Sequence, residues 1–439
     1  MKRFALYSLM ALGLACGSDG GEAPIRIVLI TLDTLRYDSF AGSPDHASDM
    51  PATRRLAEGA RVFRRHYSAT STTQPTHASL LTGLHPWQHG VHRNGVVLED
   101  SLETVVERMK LQGFSTGAVV ASFPVHSRFG FAQGFDRFID VFSQGQRQHW
   151  NQIDVPGGNF YSLADEITEK ALQMLDTLSG SKQFFWFHYF DAHHPYGDSP
   201  GGDSLGLIEL KAALREQVPD ALDRVALARG YYDRDVRHMD ASLDRLFARL
   251  LRDAESIETH ILVVSDHGES FGERGAVGHG EDLTPEQIHV PLFIHSPRAT
   301  PGTSDLPVGS VDVAATLDAL AGGNLPGPGR DLIGIDAAAD TRSIVGMRRT
   351  FARPIEDVRT NGEIRIVEGL RFYAVVDDRL YTSRAEEIAA DDGKAVDPDL
   401  EDQLSLLFRS FEADLEGRDP AEILDPETQQ ALEALGYLR

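Results

Sequence analysis

One short run constrains the fold more than any other feature of this chain. Arg26-Ile27-Val28-Leu29-Ile30-Thr31-Leu32 is apolar, β-branched and uninterrupted, and it ends on Asp33. A strand that is hydrophobic on both faces belongs inside a parallel sheet covered by helices on each side. Similar runs recur at Ser115–Ala121, Gln183–Phe190 (QFFWFHYF), His260–Ser265 and Val290–Ser296. Helical periodicity lies between and after them, at Leu102–Leu111, Leu163–Leu178, Leu205–Asp253 and Val311–Ala321. Strands alternating with helices predict an α/β fold with a mostly parallel central sheet. Sites in such sheets collect at the carboxyl ends of the strands. Asp33, His193 and the pair Asp266-His267 all fall at such ends.

Four clusters carry candidate chemistry. Asp33 opens Asp33-Thr34-Leu35-Arg36-Tyr37-Asp38 and suits a cation, although a lone Asp after a strand is more often a helix cap. Ser71-Thr72-Thr73-Gln74-Pro75-Thr76-His77 sets hydroxyls at the start of a helical run. There the helix dipole favours an anion and a hydroxyl of lowered proton affinity. The bland alternative is that one of these hydroxyls only caps the helix. Asp191-Ala192-His193-His194 suits proton transfer or metal binding. Ser265-Asp266-His267-Gly268-Glu269, followed by Gly278-His279-Gly280, offers mixed oxygen and nitrogen ligands. Gly268 there permits close approach of another backbone segment.

Taken together, these clusters resemble the sulfatase branch of the alkaline phosphatase superfamily from about Ile25 to about Gly322. The pieces that carry the resemblance are PTHASLLTGLHPWQHGVHRNG (Pro75–Gly95), GFAQGFDRF (Gly130–Phe138), FDAHHPY (Phe190–Tyr196), SDHGESFGERG (Ser265–Gly275) and VPLFI (Val290–Ile294). The resemblance implies an alkaline phosphatase-like α/β/α sandwich and a divalent metal ion (Zn, Mn or Ca) held by Asp33, Asp266 and His267. It implies Thr73 as nucleophile and further metal contact, His193 at the leaving group, and His279 near the substrate. His77 and His279 are then placed to stabilise charge on the transferring group.

The sequence also departs from the family pattern. Formylglycine sulfatases need Cys or Ser at the nucleophile position, and Thr73 cannot become that aldehyde. The motif Arg is His77, the usual Lys after the next strand is Ala121 or Ser122, and the second Asp of the usual pair is Thr34. Three readings compete. Hydrolysis of phosphate mono- or diesters is favoured by Thr73, and sulfate hydrolysis without formylglycine by the overall likeness. The third is a phosphoethanolamine-type transferase or a non-catalytic surface lipoprotein of the same fold.

The remaining segments concern place and partners. Met1-Lys2-Arg3, the apolar run Phe4–Ala15 and Cys16 read as a signal peptide over residues 1–16, of lipoprotein type, with a linker over 17–24. Export and a lipid anchor at Cys16 in the cell envelope or periplasm are expected. Cys16 is the only cysteine, so no intramolecular disulfide forms. The expected division is a catalytic domain over 25–325 and a smaller C-terminal α+β subdomain over 326–439 with no obvious chemistry of its own. Strand-like runs there are Arg365–Glu368, Arg371–Asp377 and Arg379–Thr382, with helix over Leu404–Leu438. A net charge of −24 argues against nucleic acid as a partner and leaves a small-molecule or glycan/lipid ester as substrate. Oligomeric state is not legible.

Overall fold

The computed structural model describes residues 23–41, 50–141, 149–150, 153–154, 160–200, 203–335, 342–350, 369–384 and 387–416. The signal segment with Cys16, the strand-like run 365–368 and the chain after 416 lie outside the described residues.

The main sheet has eight strands. In chain order they are β1 (Ile25–Leu32), β2 (Arg61–Tyr67), β3 (Ser115–Val120), β4 (Arg137–Asp140), β5 (Lys182–Tyr189), β6 (Glu258–Ser265), β7 (Leu292–His295) and β8 (Gly302–Gly309). Their spatial order is β8-β2-β7-β6-β1-β5-β3-β4. Only β7 runs antiparallel to its neighbours, so the sheet is mostly parallel as expected. The central strands are apolar on both faces because both faces are covered. Ile27 to Ile30, Phe184 to Phe187 and Ile261 to Val264 are all buried. Each large side chain buried there contributes roughly 1.5–3 kcal/mol. Trp186 keeps its indole N–H satisfied by donating to Thr31 Oγ1 at 2.9 Å.

The longer helices are α1 (Pro51–Glu58), α2 (Thr73–Thr82), α3 (Val105–Leu111), α4 (Ala164–Thr177), α5 (Leu207–Arg215), α6 (Ala221–Asp253), α7 (Ser310–Leu320) and α8 (Pro398–Glu416). One layer is built where α2 and α3 pack on α7, the other where α1 and α4 pack on α6. The helix expected over Leu205–Asp253 is divided, because Gln217 between α5 and α6 takes φ 52°. All ten residues of α2 are buried. A helix with no polar face needs partners all round, and α7, α3 and the sheet provide them.

A second, antiparallel sheet comprises β9 (Ile344–Thr350), β10 (Gly369–Val376), β11 (Arg379–Arg384) and β12 (Glu387–Ala390). Its core includes Met347, Phe372, Tyr381 and Phe408 together with Trp87 of the first region. Met347 N–H donates to the Ala69 carbonyl at 3.0 Å, and Tyr373 Oη donates to the Ser68 carbonyl at 2.5 Å. The small sheet therefore docks on the loop that leads into α2. Among the described residues no helix is long and apolar enough to cross a membrane.

Candidate active site

Strand β1 lies between β5 and β6, and the register pairs Leu32 with both Tyr189 and Ser265. The residues that follow these three ends are thereby gathered at one point. Asp33 continues the ladder, donating its N–H to the Tyr189 carbonyl at 2.9 Å. Thr34 then takes φ 55°, a left-handed conformation that a β-branched residue adopts only under strain. That turn aims the Thr34 N–H at Asp266 Oδ1, 3.1 Å away. Tyr232 holds it in place, donating its hydroxyl to the Thr34 carbonyl at 3.0 Å and accepting the Arg36 N–H at 2.9 Å. Across the site, a Cβ at Gly268 would stand 2.1 Å from the Glu286 carbonyl oxygen, so only glycine fits there.

Asp33, Asp266 and His267 form one fully buried cluster. His267 Nδ1 lies 3.1 Å from the Gly268 carbonyl oxygen, which can only accept, so Nδ1 carries the proton and Nε2 its lone pair. That lone pair points at Asp33 Oδ1, 3.7 Å away, and Asp266 Oδ2, 3.5 Å away. Neither of those carboxylate oxygens has a hydrogen-bond partner. Burial pushes the Asp33 carboxyl up to about 8 and the Asp266 carboxyl well above its usual range, and it holds the His267 imidazole well below. Electron-rich atoms converging in a dry pocket repel one another unless a cation or protons stand between them. The donor set fits a divalent cation of borderline character.

Thr73 Oγ1 completes this set at 3.2 Å from His267 Nε2, and its hydroxyl partly offsets the upward shift of the Asp33 carboxyl. Thr72 is the residue before the helix and makes no side-chain cap. Asn94 does the capping instead, its Oδ1 accepting the Gln74 N–H at 2.9 Å. The bland reading of Thr73 as a helix cap is therefore not what the geometry shows.

Further imidazoles border the cluster. The His279 ring lies 4.3 Å from that of His267 and 4.9 Å from that of His193. Glu269, fully buried, holds His279 through an Nδ1–Oε1 contact of 3.0 Å. His193 stacks on Phe190 at 4.1 Å and commits Nδ1–H to the His194 carbonyl at 2.6 Å. Only its Nε2 can therefore exchange a proton with a substrate. Burial, then His194, hold its imidazole well below the ordinary range.

His77 sits beneath Thr73 rather than over it. Its Nδ1–H donates to the Thr73 carbonyl at 2.8 Å and lies 3.6 Å from Asp266 Oδ2, while its ring packs near Trp186. Asp191 is drawn away from the adjacent histidines, its Oδ1 accepting the Ala164 N–H at the start of α4.

A family model described as Sulfatase matches residues 26–323. The chain belongs to the sulfatase family. A choline-sulfatase of Rhizobium meliloti is 23% identical over 352 residues, 68% of this chain and 67% of that protein. Among solved structures, a phosphonate monoester hydrolase of Silicibacter pomeroyi superposes with TM-score 0.68 at 20% identity, covering 89% of this chain and 94% of the other. Another, of Ps i-CgsB in complex with k-i-k-neocarrahexaose, gives TM-score 0.63 at 16% identity over 95% and 98% of the two chains. The alkaline phosphatase-like fold follows, and the chain is an ester hydrolase of that superfamily.

Within this sulfatase-family site, the structure brings in residues that the sequence reading passed over. His188, on β5, accepts the Ala121 N–H on Nδ1 at 3.2 Å, so its Nε2–H is the donor to Asp33 Oδ2 at 3.3 Å. Burial pushes its imidazole down to about 3, which keeps it neutral. It thus fixes one oxygen of Asp33 and leaves the other facing the cluster. Ala121 is one of the two positions, with Ser122, at which the family's Lys is expected, and its small side chain leaves only a backbone N–H at this point. His188 was hidden inside an aromatic run that reads as core. Glu269 lies inside the SDHGESFGERG motif and Asn94 inside the Pro75–Gly95 signature, and neither position signals a role of its own in the sequence. Arg348 had no signal at all, because it lies in the region expected to carry no chemistry.

Proposed function

We propose that the chain hydrolyses phosphate mono- or diesters with Thr73 as nucleophile. The observation that carries this reading is Thr73 Oγ1 at 3.2 Å from His267 Nε2, inside the converging donor set and not engaged as a cap. A divalent cation held by Asp33, Asp266, His267 and Thr73 would supply Lewis-acid polarisation of the ester and lower the proton affinity of the hydroxyl. Thr73 Oγ gives its proton up to solvent and forms the bond to phosphorus, while the bond from phosphorus to the alcohol oxygen breaks. His193 Nε2, unprotonated in the resting site, takes up a proton from solvent as the anionic ester binds and gives it to the departing oxygen. Water then attacks the same phosphorus and restores the threonine. His279, steadied by Glu269, offers charge stabilisation to the transferring group. His77 acts from below by orienting the Thr73 carbonyl.

The alcohol half is proposed to be polar. A cavity of about 330 Å³ adjoins His279, lined in part by Lys211, Arg215, Glu281, Asp282 and Arg371. That lining suits a small hydrophilic alcohol or a glycan. Sulfate hydrolysis without formylglycine is the second reading, favoured by the likeness to choline-sulfatase. A panel of aryl sulfate, phosphate monoester and phosphodiester, each with added Mn²⁺, Zn²⁺ or Ca²⁺, separates the two. Phosphorus esters are expected to turn over at least about tenfold faster, a difference of about 1.4 kcal/mol in barrier. Faster turnover of the aryl sulfate rejects the phosphate preference. Mass spectrometry after trapping with a slow substrate is expected to place the adduct on the peptide holding Thr73.

Export with acylation at Cys16 is proposed from the basic and apolar start of the chain. Cys16→Ala is then expected to release the protein from membranes, and unprocessed protein in the cytoplasm rejects the idea.

A further inference from the structure

We propose that Arg348, supplied by the small antiparallel sheet, is a substrate-binding residue that holds an anionic oxygen of the ester beside Thr72 and Thr73. The inference rests on the ester-hydrolase reading of the site and adds to it a specificity determinant from a region with no assigned chemistry.

Strand β9 sets the position. Its Met347 N–H is tied to the Ala69 carbonyl, so the next residue along the strand enters beside the loop leading to the nucleophile. The guanidinium is then held by carbonyls. Nε donates to the Gly280 carbonyl, and Nη1 donates to the Arg349 carbonyl at 2.5 Å. Gly280 directly follows His279 and takes φ 81°. A Cβ built on it would lie 3.8 Å from Arg348 Nη2 and 3.0 Å from Thr72 Cγ2. The guanidinium end and the residue before the nucleophile therefore face the same small space across a glycine. A side chain there would fill it.

The electrostatics point the same way. Arg348 is half-buried and, among the described residues, forms no ion pair with any carboxylate. Acids are not scarce in a chain with 66 Asp and Glu against 42 Lys and Arg. Burial pushes the guanidinium down to about 10, Glu281 opposes that shift, and the like charge of Arg93 adds to it. The group is still protonated at neutral pH. It is also near enough to His267 to help depress that imidazole, after burial, His279 and His77. A fixed guanidinium that, among the described residues, is held by carbonyls, with the like charge of Arg93 set against that of Glu281, is costly to bury without an anion. The planar fork with Nη2 turned to the space by Thr72 matches an oxygen of a phosphoryl, sulfuryl or carboxylate group.

The test uses the full chain loaded with Mn²⁺, and the variants Arg348→Gln and Arg348→Lys. Inorganic phosphate is titrated calorimetrically as a probe of the transferring group alone. In parallel, KM and kcat are measured for two aryl phosphates that differ only in a carboxylate on the aryl ring. Metal content and melting temperature are recorded for each variant. If the bound oxygen belongs to the transferring group, Arg348→Gln weakens phosphate binding by about tenfold or more, and Arg348→Lys recovers part of it. If it belongs to the alcohol half, phosphate binding is unchanged and KM rises only for the carboxylated ester. Unchanged phosphate affinity together with equal KM for both esters overturns the proposal, as does wild-type protein that binds neither phosphate nor the carboxylated product. Should Arg348→Gln lose metal or fail to fold, Arg348→Lys decides alone. A purely structural role predicts wild-type phosphate affinity and KM once the lysine variant is folded. Arg348-dependent phosphate binding without turnover of either ester would retire the hydrolase reading and leave this one standing.

Discussion

Two regions of the molecule bury aspartates, and they treat them in opposite ways. On α6, Asp240 receives the Ala52 N–H and the Thr53 N–H, each at 2.8 Å, and the Thr53 hydroxyl at 2.5 Å. Its oxygens face donors at the start of α1, and it works as a helix cap supplied from another helix. At the strand ends, Asp33 and Asp266 keep one donor-bonded oxygen each, while Oδ1 of the first and Oδ2 of the second face a lone pair and each other. A buried carboxylate satisfied by N–H groups is structure. A buried carboxylate turned toward other acceptors is a place for a cation.

The largest effect that can break this comparison is at Asp266. Asp266→Ala in the strand-end cluster is expected to lower bound metal and to reduce turnover by at least about a thousandfold, while the fold survives. Metal content by elemental analysis, with circular dichroism as control, is the check. Full metal occupancy in that variant removes Asp266 from the ligand set. Thr73→Ala is expected to match it in turnover but to keep the metal-binding fold, since Asn94 and not Thr73 caps α2.

Asp240→Ala is the converse experiment. It is expected to cost about 2–4 kcal/mol of stability, because three buried donors lose their acceptor. Metal content and kcat of the folded fraction are expected to stay at the wild-type level. A change in metal content would show that the two aspartate environments are coupled.

A smaller effect is expected at His188, which touches the cluster only through Asp33. His188→Leu removes the Nε2–H that fixes Asp33 Oδ2 and is expected to weaken metal affinity by about tenfold. His188→Gln keeps a donor at a similar reach and is expected to recover most of that loss. Equal metal dissociation constants in the two variants would mean that His188 merely fills space under the sheet.

How far the sequence reveals this arrangement depends on the period of the signal. Buried parallel strands announce themselves as apolar runs, so β1, β3, β5 and β6 and the residues at their ends were legible. Strand β2 was not, because Arg61, Arg64, Arg65 and His66 break its apolar pattern, and β8 was masked by Pro307 and two glycines. The division between α5 and α6 was lost because Gln217 carries no sign of a positive φ. Likewise, the donor set at Asp33, Thr73, Asp266 and His267 was visible because each lies in a short local motif. His188, Glu269 and Arg348 act through partners distant in sequence or through a register that only pairing reveals. A histidine in an aromatic strand looks like core until the Ala121 N–H and Asp33 are seen on either side of it.

Asp191 lies between the two classes and gives the smallest and most discriminating test. One oxygen accepts the Ala164 N–H at 3.0 Å, as in the capping region, while Oδ2 has no partner, as in the cluster. Burial pushes its carboxyl up to about 8, the Ala164 N–H opposes that, and the Asp235 charge adds to it. A carboxyl with a folded pKa above its unfolded value of about 4 binds more protons in the folded state between those limits. Stability from this group is therefore full below pH 4 and is lost as pH rises toward 8, by at most about 1.4 kcal/mol per pH unit. Asp191→Asn cannot ionise, and its amide occupies nearly the space of the protonated acid. With the cation kept saturating, the urea stability of Asp191→Asn minus that of wild type is expected to rise steadily from pH 5 to pH 8. A difference that stays flat over this range would mean that Asp191 is ionised in the fold, and that its second oxygen, like those of Asp33 and Asp266, faces a positive partner.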